Sequence, residues 1–122
     1  MELVAFLGKD KETWGQISSL VKRGEWDKSV IIKNKGTEET ADFGNAEIVN
    51  INSDKPLTEL KEEIMQKIRD KIDGSFEVAL SIASGSGKEH MALISALLSI
   101  PVGVRLVAFT KSGIEFINWK EN

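Results

Sequence analysis

Leu3-Val4-Ala5-Phe6-Leu7 is an unbroken apolar run stopped by Gly8. A strand with one wet face alternates apolar and polar residues, so a run without alternation predicts a strand covered on both faces, as parallel sheets produce. Ser29 to Ile32 and Glu47 to Ile51 read as further strands, and between the first two the segment Glu12 to Arg23 places Trp14, Ile17, Leu20 and Val21 at helical spacing before Gly24. Asp54-Lys55-Pro56 opens a second helix with the apolar stripe Leu57, Leu60, Ile64, Ile68 and Ile72, and Glu63 pairs with Lys67 on its wet side. Phe76 to Ala83 is the most apolar strand, which places it near the sheet centre. A third helix begins at once and runs to about Ser99, where Ile100-Pro101 breaks it, and Gly103 to Phe109 and Ile114 to Ile117 flank the hairpin turn Thr110-Lys111-Ser112-Gly113. Lys33 to Asn45 has no apolar period and reads as a long exposed loop. The order β-α-β-β-α-β-α-β-β predicts an α/β fold: a Rossmann-like three-layer sandwich on a mainly parallel six-stranded sheet, with right-handed crossovers and a C-terminal antiparallel edge hairpin.

The 122 residues are enough for one domain and one core. Cysteine is absent, which removes disulfides, iron–sulfur ligation and Cys-based zinc sites, and the single His90 cannot build a His-only metal site. No metal and no cofactor are expected. The net charge of -3 supplies no global positive field for duplex nucleic acid, although a local basic pocket stays compatible with it. No apolar run approaches the roughly 20 residues of a membrane span, and Met1-Glu2-Leu3-Val4 opens on an acid rather than a basic secretion region. A cytoplasmic protein without membrane contact is expected, and the dominance of Lys and Glu over Arg and Asp fits a heat-adapted cytosol.

In open parallel sheets ligands sit beyond the carboxyl ends of the strands, near the point where strand order reverses. Two loops qualify. One is Gly8-Lys9-Asp10-Lys11 after the first strand; the other is Ser84-Gly85-Ser86-Gly87-Lys88-Glu89, between the fourth strand and the third helix. The second combines glycines that admit close backbone approach, hydroxyls, a helix N-terminus and a lysine, which together make a cradle for an anion or phosphate. It is not a Walker A loop, because Ile82 stands where the first Gly belongs and Glu89 where the magnesium-binding hydroxyl belongs. The first βα turn holds only Gly8 and Gly15, so the dinucleotide pattern G-x-G-x-x-G is missing as well.

The segment Val78-Ala79-Leu80-Ser81-Ile82-Ala83-Ser84-Gly85-Ser86-Gly87-Lys88-Glu89, with the apolar helix and the hairpin Val104 to Ile117 behind it, resembles the CRISPR-associated Rossmann-fold (CARF) domains. In that family a central strand runs into a small-residue loop, often Thr-Gly-Gly-Thr-Lys, and a hairpin completes the sheet. The order of elements agrees over nearly the whole chain, with Ser86 where the family has its second Gly. The resemblance implies a minimal homodimeric module that holds a cyclic oligoadenylate, or another anionic nucleotide, across its two-fold axis. It implies ligand contacts from Gly8, Lys9 and Asp10 in the first loop and from Ser84, Gly85, Ser86, Gly87 and Lys88 in the second. Some members cleave the ring without metal. In such a ring nuclease a ligand 2′-OH attacks, Lys88 stabilises the phosphorane charge, and Ser84 or Ser86 orients the hydroxyl. The leading expectation is a sensor or sink module of a CRISPR-type antiviral signalling system; the ring nuclease is second, and a regulatory or structural subunit with an empty loop is third.

The third helix is apolar on every side through Met91, Leu93, Ile94, Leu97 and Leu98, which calls for cover from a second subunit, or from the hairpin, Trp119 or another helix within one chain. His90 is either an acid–base group or a cap neighbour. Glu89 reads as a helix-start carboxylate, Trp14, Trp26 and Trp119 as core-edge packing, and Gly15 either as a place where a helix or ligand approaches closely or as a glycine the helix merely tolerates.

Overall fold

The apolar runs become six strands: β1 (Glu2–Leu7), β2 (Ser29–Asn34), β3 (Glu47–Ile51), β4 (Glu77–Ser81), β5 (Gly103–Thr110) and β6 (Gly113–Phe116). Three helices, α1 (Trp14–Arg23), α2 (Leu57–Ile72) and α3 (Gly87–Leu98), connect them in this computed structural model, which describes residues 1–72 and 74–118. The strands form one sheet in the order β3-β2-β1-β4-β5-β6. Every pairing is parallel except β5 with β6, as the hairpin signal predicts. From β1 the chain steps outward to β2 and β3, then returns to lay β4 on the other side of β1, so the order reverses between β1 and β4.

Both faces of β1 are covered, which explains its lack of alternation. Val4 and Phe6 join a core cluster with Leu60, Ile64, Ile68 and Ile72 of α2 and Ala92, Leu93, Ala96 and Leu97 of α3. Leu3, Ala5 and Leu7 join a second cluster with Trp14, Ile17, Leu20 and Val21 of α1. Leu57, counted in the α2 stripe, is the exception and lies at the surface.

The departures from the sequence reading have local causes. Phe76 lies outside β4 and is 92% exposed, so apolar content overstates that strand at its start. At its end the chain leaves the sheet after Ser81, where the Ala83 N–H turns to the Ser81 hydroxyl (3.4 Å). The loop after β2 is not wholly solvated. Lys33 is buried within β2 and its ammonium donates to the Thr37 carbonyl (2.7 Å), while Phe43 packs edge-on against Trp14 with ring centroids 6.3 Å apart. Gly15 has no neighbour near its absent Cβ, so nothing approaches it closely. On α3 the cover is one-sided: Met91 and Leu98 are 56% and 73% exposed, and Ile117 beside the hairpin is 65% exposed. Trp119, the alternative cover, lies outside the described residues. No helix among the described residues is long and apolar enough to cross a membrane.

Glu63 fastens α2 to the end of β3. Its carboxylate accepts from the Asn52 N–H (3.1 Å) and pairs with Lys67 (3.0 Å) and Lys55 (3.3 Å). Burial raises its pKa, but the Lys67, Asn52 and Lys55 contacts together outweigh burial and hold it below the ordinary 4.5. A carboxyl depressed on folding stabilises fully above its unfolded value, and that contribution is lost as pH falls through the folded value. Glu63→Gln is therefore expected to lower the urea midpoint at neutral pH, and the gap from wild type is expected to close as pH drops below about 4.5.

Candidate functional site

The carboxyl ends of β1 and β4 stand side by side at the reversal of strand order, and the two loops singled out by sequence meet there in direct backbone contact. A Cβ on Gly8 would lie 2.6 Å from both the Cα and the N of Gly85, so only glycine lets the first loop approach this far. Gly85 itself adopts φ +108°, the left-handed region that favours glycine.

Ser84 locks this contact. It is 1% exposed, and its Oγ accepts from the Gly8 N–H at 2.8 Å. Thr13 Oγ1 lies 2.7 Å from the Asp10 carbonyl and 2.6 Å from Ser84 Oγ. A carbonyl only accepts, so the Thr13 proton goes to Asp10 and the Ser84 proton goes to Thr13. Ser84 thus has both its proton and a lone pair engaged beneath the surface, which makes it a strut between the loops. The Gly8 carbonyl accepts from the Trp14 indole N–H at 2.8 Å, fixing the other side of the same residue.

Ser86 is the N-cap of α3. Its hydroxyl accepts from the Glu89 N–H (3.2 Å), and Glu89 Oε1 accepts in return from the Ser86 N–H (2.8 Å), a reciprocal capping box. Asp10 is likewise a cap, its Oδ1 accepting from the Glu12 N–H (3.1 Å) at the 3-10 turn Lys11–Thr13. Lys88 donates from Nζ to the Ser53 carbonyl (2.8 Å), and the Ser53 hydroxyl donates to Glu89 Oε2 (2.6 Å). Ser53, in turn, donates its N–H to Asn34 Oδ1 (3.0 Å) at the end of β2.

Lys9, Ser53, Ser86, Lys88 and Glu89 line a cleft of about 270 Å³. A second hollow of about 480 Å³, between the loops after β1 and β2, shares Lys9 and adds Lys11, Asn34 and Thr37. Among the described residues the backbone N–H groups of Gly85, Gly87 and Lys88 have no acceptor within the protein. Unpaired donors at a helix start, preceded by a left-handed glycine and flanked by Lys9 and Lys88, favour negative oxygens electrostatically. A larger hollow of about 700 Å³ lies along the outer face of α2 among Lys55, Glu59, Lys61, Glu62 and Lys67; its interleaved charges of both signs make it a solvated helix face. No three His, Asp or Glu side chains among the described residues gather to hold a metal.

Of the residues expected from sequence, Lys9, Ser86 and Lys88 line the cleft, Gly8 and Gly85 make the close backbone contact between the two loops, Ser84 bonds across that contact, and Asp10 caps the adjoining turn. Ser53 and Thr13 escaped the sequence reading. The signal for Ser53 is its place after β3, since every βα loop of a parallel sheet opens on the same edge; Thr13 has no comparable signal. No known family model matches the chain, and no curated protein matches it.

Proposed function

We propose that the protein binds a cyclic oligoadenylate, or another anionic nucleotide, at the carboxyl edge of its sheet and serves as a CARF-like sensor or sink in antiviral signalling. The observation that carries this reading is the convergence, at the β1–β4 reversal, of Lys9, Lys88 and three N–H groups without acceptors around a glycine–glycine contact. The strand order with its antiparallel hairpin, and the placement of α1 in one core cluster and of α2 and α3 in the other, support a three-layer Rossmann-like module. The exposed Met91, Leu98 and Ile117 support a homodimer, in which each lysine would count twice against a ring of phosphates. Binding is favoured over ring cleavage because the hydroxyls of Ser84 and Ser86 are engaged in holding loops and cap, which leaves Lys88 as the one residue of the proposed catalytic set with an ammonium on the cleft.

Incubation with radiolabelled cyclic tetra-adenylate tests the reading. A mobility shift without product is expected. Linear product, unaffected by a chelator, replaces the sensor with the metal-independent ring nuclease, and neither shift nor product overturns both. Lys88→Ala removes a charge-assisted contact and is expected to weaken binding by about tenfold or more. Unchanged affinity in that titration removes the lysine from the site.

A further inference from the structure

His90, one turn into α3, directs Nε2 at the Ser84 carbonyl from 2.7 Å. A carbonyl has no proton to give, so this nitrogen carries the hydrogen. The bond is the sole hydrogen bond made by the Ser84 carbonyl among the described residues. Ser84 is thereby gripped twice, by its side chain from the first loop and by its carbonyl from α3.

The peptide between Ser84 and Gly85 is trans, as all peptides among the described residues are, so the Gly85 N–H points opposite to the carbonyl that His90 holds. We propose that His90 is the positioning residue of the anion site: its Nε2–H fixes the Ser84–Gly85 peptide so that a donor, and not an acceptor, is presented on the side away from the imidazole. Glycine makes this device necessary. With φ +108°, Gly85 has the conformational freedom to let the preceding peptide flip, and a flip would exchange the N–H for a carbonyl oxygen that repels an anion. The turn is wedged as well as bonded, since a Cβ on Gly85 would meet Phe6 Cδ1 at 2.9 Å and His90 Nε2 at 3.0 Å. His90 is thus more than a cap neighbour, because its Nε2 proton is committed to the backbone.

The ligand part of this inference rests on the proposed function; the peptide geometry does not. His90 is the only histidine of the chain, so a long-range proton–nitrogen spectrum of the native protein reports one imidazole, expected to carry a proton at Nε2. The Gly85 amide resonance is expected to move in His90→Ala and to return toward its native position in His90→Gln, whose side-chain N–H replaces the donor. In titrations with cyclic tetra-adenylate, His90→Ala is expected to bind about tenfold or more weakly, and His90→Gln within about threefold of native. A ring bare at Nε2 in the native protein, or a Gly85 amide unmoved by His90→Ala, overturns the positioning role. Equal weakening by Ala and Gln overturns it too. If the native protein binds no ring while the tautomer and the Gly85 amide behave as expected, the ligand reading falls and the peptide-fixing role stands.

Discussion

Gly8→Ala is expected to destabilise the fold by about 3 kcal/mol or more, from a single added methyl group. The methyl would sit 2.6 Å from two backbone atoms of Gly85, which cannot rotate aside as a side-chain tip can. Relief requires the loops after β1 and β4 to part by about 1 Å, the shortfall from ordinary carbon contact distances. That movement stretches the Gly8 N–H bond to Ser84 and the Trp14 indole bond to the Gly8 carbonyl, both 2.8 Å and both buried. Each buried group left without its partner costs about 1–3 kcal/mol, and overpacking adds a term of similar size. Gly87→Ala is the control: it lies in the first turn of α3 with nothing near the position of its Cβ, and alanine suits a helix better than glycine. Urea unfolding of the two variants should show a large fall in midpoint for the first and little change or a small rise for the second. If Gly8→Ala leaves the midpoint in place, the close contact of the two loops is not a feature of the folded protein.

The sequence makes the sheet legible because both its signals are local. Unbroken apolar runs mark β1 as covered on two faces, and the stripe Leu60, Ile64, Ile68 and Ile72 marks the buried side of α2. The site was legible as a pair of loops, since Gly8, Lys9 and the run Ser84 to Lys88 sit where any parallel sheet opens. What each side chain does there was not. Serine followed by glycine reads alike whether its hydroxyl faces a ligand or, as with Ser84, reaches 76 residues back along the chain to the Gly8 N–H. Lys33 misleads in the opposite way: its charge suggests solvent, yet its stem is buried in β2 and only its ammonium finds a carbonyl at Thr37. Phe43 had no period around it to announce that the loop folds back onto Trp14. In each case the deciding contact is long-range or irregular, which periodicity cannot encode.

Phe6→Ala is expected to cost about 3–5 kcal/mol and, on the proposed binding function, part of the affinity for cyclic tetra-adenylate. The ring is fully buried in the cluster that β1 shares with α2 and α3, and neighbours tied into β-strands collapse only partly onto the space it leaves. The stability loss separates buried from exposed aromatics in this chain, since Phe76→Ala, at a site 92% exposed, should change the midpoint by no more than about 0.5 kcal/mol. The affinity loss has a different origin. Phe6 Cδ1 lies directly beneath Gly85, so removing the ring takes away the floor on which the left-handed turn rests. Weakened binding would then report a donor group displaced from below, since Phe6 is fully buried and offers no surface to a phosphate. Measuring both quantities on one variant decides what holds the turn. If stability falls as expected but affinity for cyclic tetra-adenylate in the still-folded protein matches wild type, the Gly8 contact and the His90 bond suffice to hold Gly85 and the core beneath contributes nothing to binding.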